Sequence, residues 1–193
     1  VEESRPALDG AIDTDIAIVG GGFTGLWSAY YLKQLDPSLR IVILEAERIG
    51  FGASGRNGGW CSALYPTTAD YTVVRPHLVT SIDEIGAFAH QHAPEVGFVK
   101  SGTLTIARSG AQLARLKSTL TSESELLSKD QIRSRIHMRN AIGGTFTPDC
   151  AVIHPGRLVR ALAREVEKLG VRIYEKSRAI TIEPTLITTE RAS

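Results

Sequence analysis

IVGGGFTGLWSAYYLKQLDPSLRIVILEAERIGFGASGRNGGW, residues Ile18 to Trp60, carries two glycine-rich runs with an acidic residue between them. The first run contains Gly20-x-Gly22-x-x-Gly25. It follows a short apolar segment, Asp15 to Gly20, which reads as a buried parallel strand. A helical spacing of Leu26, Ala29, Tyr30, Leu32 and the Lys33 stem follows, and the DPS at Asp36 to Ser38 stops it. Arg40 to Ala46 then reads as a second buried strand. Strand, helix and strand at this spacing make a βαβ unit with a right-handed crossover.

Each glycine of the first run has a physical task. Gly20 permits a tight turn out of the strand, Gly22 lets backbone approach a pyrophosphate, and Gly25 lets helix and strand pack closely. The helix start then offers free N–H groups and the positive end of its dipole to phosphate. No P-loop lysine and hydroxyl pair follows, which argues against a nucleoside triphosphate. Glu45 stands twenty residues after Gly25, at the end of the second strand. A carboxylate there accepts hydrogen bonds from ribose hydroxyls and repels a 2′-phosphate, so the pattern favours a dinucleotide other than NADP.

The second run, Gly50 to Gly59, is not explained by a βαβ unit alone. A nucleotide domain ordinarily goes from its second strand into another helix and strand. Here a glycine-rich path intervenes, suited to close approach of N–H groups to a ligand. Ser54, Arg56 and Asn57 add donors within it, and in this context Arg56 is read as a cofactor-binding residue, meeting a phosphate or a substrate carboxylate, rather than as a surface charge.

Farther along, Val74 to His92 reads as a helix. Val96 to Ser109 reads as one or two strands broken at Gly102, and Ala111 to Leu120 as an amphipathic helix. Ser128 to Ile136 is a short helix with a capping box from Ser128 to Gln131. Ala141 to Pro155 reads as strand, turn and strand. Gly156 to Gly170 is a helix with Leu158, Leu162, Val166 and Leu169 on one side, closed by Gly170. Val171 to Glu183 gives one or two strands. Residues 1 to 13 read as a polar lead-in. The α/β units thus occupy both ends and flank a mixed insertion.

The 193 residues, 42% hydrophobic and 22% charged, are ordinary globular composition and suffice for a sizeable core. A net charge of +1 offers no general field for nucleic acid or membrane. No apolar run approaches the roughly eighteen residues of a membrane span. Cys61 and Cys150 have no metal or redox spacing and read as reduced thiols of a cytoplasmic protein, with Cys61 near enough to the second run to lie by a ligand. No metal site is expected. The chain starts at Val1 and stops at TLITTERAS, which reads as a piece of something longer.

The quoted stretch resembles the FAD-dependent amine and amino acid oxidoreductases of the D-amino acid oxidase superfamily, nearest the glycine, sarcosine and γ-glutamylputrescine oxidase group. AVIHPGRLVRALAREVEKLGVRIYEKSRAITIE, Ala151 to Glu183, resembles the later segment in which such chains return to the FAD domain. The resemblance implies an α/β fold: a Rossmann-like FAD-binding βαβ domain with an inserted, incomplete α+β substrate domain. It divides the chain into FAD-binding parts at 1–62 and 151–193 around a substrate-domain portion at 63–150. It implies that Gly20, Gly22, Phe23, Thr24 and Gly25 hold the pyrophosphate. Glu45 would bind the ribose and Ala46 the adenine. Ala53, Ser54, Asn57, Gly58 and Gly59 would follow the pyrophosphate and flavin edge, and backbone near Ala179 would meet the adenine.

By the same resemblance the protein oxidises a small amine or amino acid, with hydride passing from the C–N carbon to flavin. No separate base is demanded, and none of His77, His90, His92, His137 and His154 is assigned one. The family's C-terminal half would lie beyond Ser193, leaving an open sheet edge. Two alternatives stand beside this reading. One is a non-catalytic FAD- or ADP-binding fragment or scaffold subunit. The other is a same-fold enzyme for a different substrate, such as glycerol phosphate or tRNA, the last disfavoured by the +1 charge.

Overall fold

The computed structural model describes residues 4–64 and 71–190. Its chain forms two compact units: Val1–Gly59, Gln91–Val96 and His154–Ser193 make the first, Trp60–His90 and Gly97–Ile153 the second.

The first unit is built on the quoted stretch. Strand β1 (Ile16–Val19), helix α1 (Phe23–Leu35) and strand β2 (Ile41–Leu44) form the βαβ element, and β1 pairs parallel with β2 from Ile16↔Ile41 to Val19↔Leu44. Helix α1 buries Gly25, Leu26, Ala29 and Lys33. The Lys33 ammonium donates to the carbonyls of Pro37 and of Leu39, the latter at 3.1 Å, closing the turn into β2. β2 is buried throughout, as a central strand must be. β1 is not: Val19 is 48% exposed. Among the described residues β1 pairs with β2 alone and is an outer strand, and the expectation of a buried strand there is corrected accordingly.

The third strand comes from the far end of the chain. Helix α5 (Pro155–Lys168) and strand β8 (Arg172–Tyr174) supply the second crossover, with β8 parallel to β2 at Ile43↔Ile173. The helix and strand missing after β2 in sequence are therefore present in space. α5 buries Leu158, Val159, Leu162 and Val166. Its end is a Schellman motif: Gly170, at φ +90°, donates to Glu167, and Val171 to Val166. Strands β9 (Ala179–Glu183) and β10 (Leu186–Thr189) form an antiparallel hairpin. The expected pair of strands after α5 is present, and TLITT adds a further one.

The lead-in is more than polar. Leu8 is buried with Val42 and Leu44, and Ile12 and Ile187 pack against them. Arg5 reaches Glu167 at 2.7 Å and Glu175 at 3.4 Å, with Arg5 10% and Glu175 5% exposed in their side chains. Glu175 also accepts the N–H groups of Arg5 and Ile49. Leu8 N–H donates to Ser177 Oγ.

In the second unit, β3 (Trp60–Ser62) pairs antiparallel with β7 (Cys150–Val152). β4 (Thr103–Ala107) and β5 (Glu125–Ser128) flank β6 (Gly143–Thr147). Helices α2 (Tyr71–His92, within this unit to His90), α3 (Gly110–Ser118) and α4 (Lys129–Arg135) complete it. α2 starts earlier than its periodicity implies and encloses Pro76. The capping box at Ser128 and Gln131 forms. Residues 141–155 are strand, turn and strand, yet β6 and β7 join different sheets. Only Thr103–Ala107 of the segment from Val96 is a strand, and Gly102, at φ +77°, marks its start.

Two stability measurements follow. Asp15 clasps the start of β1 to β2 by accepting Arg40 Nη2 at 2.7 Å and Arg40 N–H at 2.8 Å. These bonds, the side-chain ones foremost, hold the Asp15 carboxyl at about 2, below its ordinary 3.8. Its stabilisation is therefore present above 3.8 and fades as pH falls towards 2. A carbon-detected NMR titration should find the low midpoint, and Arg40→Ala should return it to the ordinary range. Glu175→Ala leaves Arg5 short of a partner and Ile49 N–H without its acceptor, and urea unfolding should show a loss of about 3 kcal/mol.

Candidate functional site

The site grows from the turn after β1. Gly20 takes φ +106°, a conformation that a side chain resists, and its N–H donates to Leu44 O at 2.8 Å. A Cβ at Gly25 would collide with the Gly20 carbonyl and crowd Ile18. That is the close helix–strand packing expected of this glycine. A Cβ at Gly22 would sit 2.8 Å from Ser54 Oγ, so this glycine is held small by the second run as well. As N-cap, Gly22 offers no side chain to α1, and no acidic residue stands in the first turn. A helix start of this kind presents donors and partial positive charge outward.

The two glycine runs meet directly. Gly50 N–H donates to Gly21 O at 3.0 Å, and Phe23 N–H donates to Ser54 Oγ at 2.9 Å. Ser54 lies in a single 3-10 turn, Ala53–Gly55. Asn57 braces that turn: its Nδ2 donates to Ala53 O and Ser54 O at 3.1 Å, and its Oδ1 accepts Gly59 N–H at 2.9 Å. Gly59 takes φ +72° and Gly58 follows Asn57 in the open. A groove of about 400 Å³ lies along Gly20, Gly22, Phe23, Gly25, Ser28 and Ser54, with Thr24 also on its wall.

Glu45 is half-buried at the end of β2. Its Oε2 accepts Gly21 N–H at 2.7 Å and its Oε1 accepts Glu47 N–H at 2.9 Å. A carboxylate has about four acceptor sites, so both oxygens keep capacity for ligand hydroxyls. Ala46 follows, half-buried. The return segment reaches the same place: Ser177 N–H donates to Glu45 O and Lys176 N–H to Glu47 O, at 2.9 and 3.1 Å. Ala179 stands two residues farther, at the start of β9.

Arg56 goes elsewhere. Its guanidinium lies 4.3 Å from the centre of the Phe51 ring and lines a second cavity that includes none of Gly20, Gly22, Gly25 or Ser54. His154 is the N-cap of α5, its Nδ1 accepting Arg157 N–H at 3.3 Å. Cys61 belongs to β3 of the second unit, and burial pushes its thiol up, away from the reactive thiolate.

Two glycines outside the expected site residues join the runs. Gly21 joins Glu45 to the second run, and a Cβ there would collide with Ile49. Gly50 takes φ +69°, and a Cβ there would strike Val159 of α5. The signal for Gly21 is a glycine in excess of the motif's three, and that for Gly50 its place at the head of the second run.

The donors at the helix start, the glycines that no side chain can replace and the carboxylate with spare acceptors fit a dinucleotide such as FAD. Residues 15–192 match a family described as FAD dependent oxidoreductase. The chain is 31% identical over 194 residues to the γ-glutamylputrescine oxidoreductase of Escherichia coli, covering 92% of this chain and 45% of that protein. It therefore spans about half the length of that relative. The glycine oxidase structure from Bacillus cereus superposes with a TM-score of 0.77 at 21% identity, covering 92% of this chain and 53% of that one. The L-amino acid deaminase of Proteus myxofaciens, in complex with anthranilate, gives 0.75 at 20% identity, covering 99% and 45%. At these identities the two structures establish the fold.

Ser54→Ala removes the acceptor of Phe23 N–H. The expected cost is about 1 kcal/mol, as for a lost helix cap, read from the urea midpoint.

Proposed function

We propose that this chain, which belongs to the FAD dependent oxidoreductase family, holds FAD between its two glycine runs for the oxidation of an amine or amino acid. The observation that carries this reading is the meeting of Gly20 to Gly25, Glu45 and Ser54 at one helix start.

In this reading the N-terminus of α1, with Gly20, Gly22, Phe23, Thr24 and Gly25, takes the pyrophosphate. Glu45 takes the ribose hydroxyls with the acceptor sites that Gly21 and Glu47 leave unused. Ala46 and the backbone at Ala179 flank the adenine. Ala53, Ser54, Asn57, Gly58 and Gly59 lead from the pyrophosphate towards the flavin. Arg56 is left out of the set, because its guanidinium lies over Phe51. Bound FAD would supply a hydride acceptor for the carbon bearing the amine, leaving an imine for water to hydrolyse. The chain's own contribution is binding and orientation. Substrate class rests on the relatives, among them a γ-glutamylputrescine oxidoreductase and a glycine oxidase.

Titration of FAD into the purified chain, followed by flavin fluorescence, should saturate. Glu45→Ala should weaken the affinity at least about tenfold, through loss of charge-assisted hydrogen bonds. Unchanged affinity in that variant, or no saturation in the parent chain, rejects the assignment.

A further inference from the structure

Asn57 is followed by Gly58, and the chain holds one other asparagine, Asn140, which is followed by Ala141. Asn57 and Gly58 are both exposed. A Cβ at Gly58 would meet nothing within 4 Å, so the space beside this backbone is open. The Asn57 side chain folds forward over it. Its Oδ1 accepts the N–H of Gly59 at 2.9 Å. Such an Asx turn sets the side-chain carbonyl carbon beside the intervening backbone nitrogen, that of Gly58.

The turn has a chemical consequence. Attack of the Gly58 nitrogen on the Asn57 Cγ closes a five-membered ring, and a following glycine leaves that closure free of a Cβ. The oxygen that gains negative charge in the attack is Oδ1, which already accepts Gly59 N–H. A donor fixed at that oxygen stabilises the charge as it develops. The leaving group is the side-chain nitrogen, and it is also what braces the turn: Nδ2 donates to Ala53 O and Ser54 O at 3.1 Å. These two bonds slow its release and are lost once it has gone.

We infer that Asn57 is a site of spontaneous deamidation, and that its conversion loosens the turn that carries Ser54 to the start of α1. The Gly58 nitrogen bonds to Asn57 Cγ and gives up its proton. The Cγ–Nδ2 bond breaks, and Nδ2 leaves as ammonia, having gained a proton. Water then opens the succinimide to aspartate or isoaspartate at position 57, with no oxidant or reductant involved. Either product lacks the two N–H donors and adds a carboxylate, which only accepts. The 3-10 turn Ala53–Gly55 loses its brace, and with it the placing of Ser54 Oγ 2.9 Å from the Phe23 nitrogen. One further consequence rests on the proposed cofactor: the added negative charge opposes a pyrophosphate held between the runs, so affinity for FAD falls.

The test is incubation of the purified chain at mildly alkaline pH, with peptide mass spectrometry reading the mass gain of an acid over an amide. Conversion at Asn57 should run at least about tenfold faster than at Asn140, whose following alanine hinders the ring closure. Gly58 has open space beside it and lies outside the left-handed region, so Gly58→Ala should fold and slow the conversion at least about tenfold. Circular dichroism checks folding; if that variant misfolds, the comparison of the two asparagines in the parent chain decides. Anion exchange isolates the converted chain, whose urea midpoint should fall at least as far as that of Ser54→Ala. Equal rates at the two asparagines, undiminished conversion in folded Gly58→Ala, or a converted chain with the parent's midpoint overturns the inference. FAD titration of the parent and converted chains is a separate readout. No saturation in the parent rejects the cofactor assignment and leaves the modification site standing.

Discussion

Gly50 N–H donating to Gly21 O is a backbone-to-backbone bond between two loops that each carry a glycine where a side chain would block the approach. Much of the first unit is arranged around it. Where the loops touch, a Cβ on Gly21 would displace Ile49 Cδ1, one on Gly22 would displace Ser54 Oγ, and one on Gly50, at φ +69°, would press on Val159. The approach puts Ser54 Oγ at the start of α1 and lets Glu45 reach back to Gly21. One constraint thus fixes a helix start, a carboxylate and a loop together.

The same constraint makes the distant return segment necessary. Gly50 rests on Val159, and Gly55 O lies 3.5 Å from where a Cβ of Gly156 would stand. α5 is therefore the wall on which the second run is laid down. The sheet closes only when β8 reaches β2, across more than a hundred residues of intervening chain. Loop-closure entropy grows only logarithmically with length, so such an insertion is thermodynamically tolerable. Burial of Leu158, Val159, Leu162 and Val166 opposes its cost. The Arg5, Glu167 and Glu175 cluster then binds the lead-in to the end of the return segment.

Legibility in the sequence followed the length and the locality of each signal. β1, α1 and β2 could be read because strand, turn, helix and strand fall in one short span, each with its own period or stop. α5 could be read from its apolar side and Gly170. β3, β5 and β10 were not read, since each has three or four residues and little alternation. The apolar composition of β1 implies burial; its exposure depends on which strand lies beside it, a fact of topology. The turn at Gly20 and the close packing at Gly25 were legible because backbone conformation and close approach impose residue type. The contacts of Gly21 and Gly50 were not, because their neighbours Ile49 and Val159 are specified only once the chain has folded.

That distinction separates binding from chemistry in this fold. The proposed dinucleotide cradle is made largely of backbone groups, and a backbone site leaves a spaced trace of glycines. Substrate choice depends on side chains whose identity is free to vary with the substrate, so it leaves no comparable trace. The second unit has its own core of Leu127, Ile132 and Ala141 and its own pair of sheets, but no run of residues with constrained type and spacing of the kind seen from Gly20 to Gly59. A lattice of glycines marks the phosphate end of that proposed cradle. At the other end of such a ligand the contacts fall to side chains, whose spacing no backbone geometry imposes.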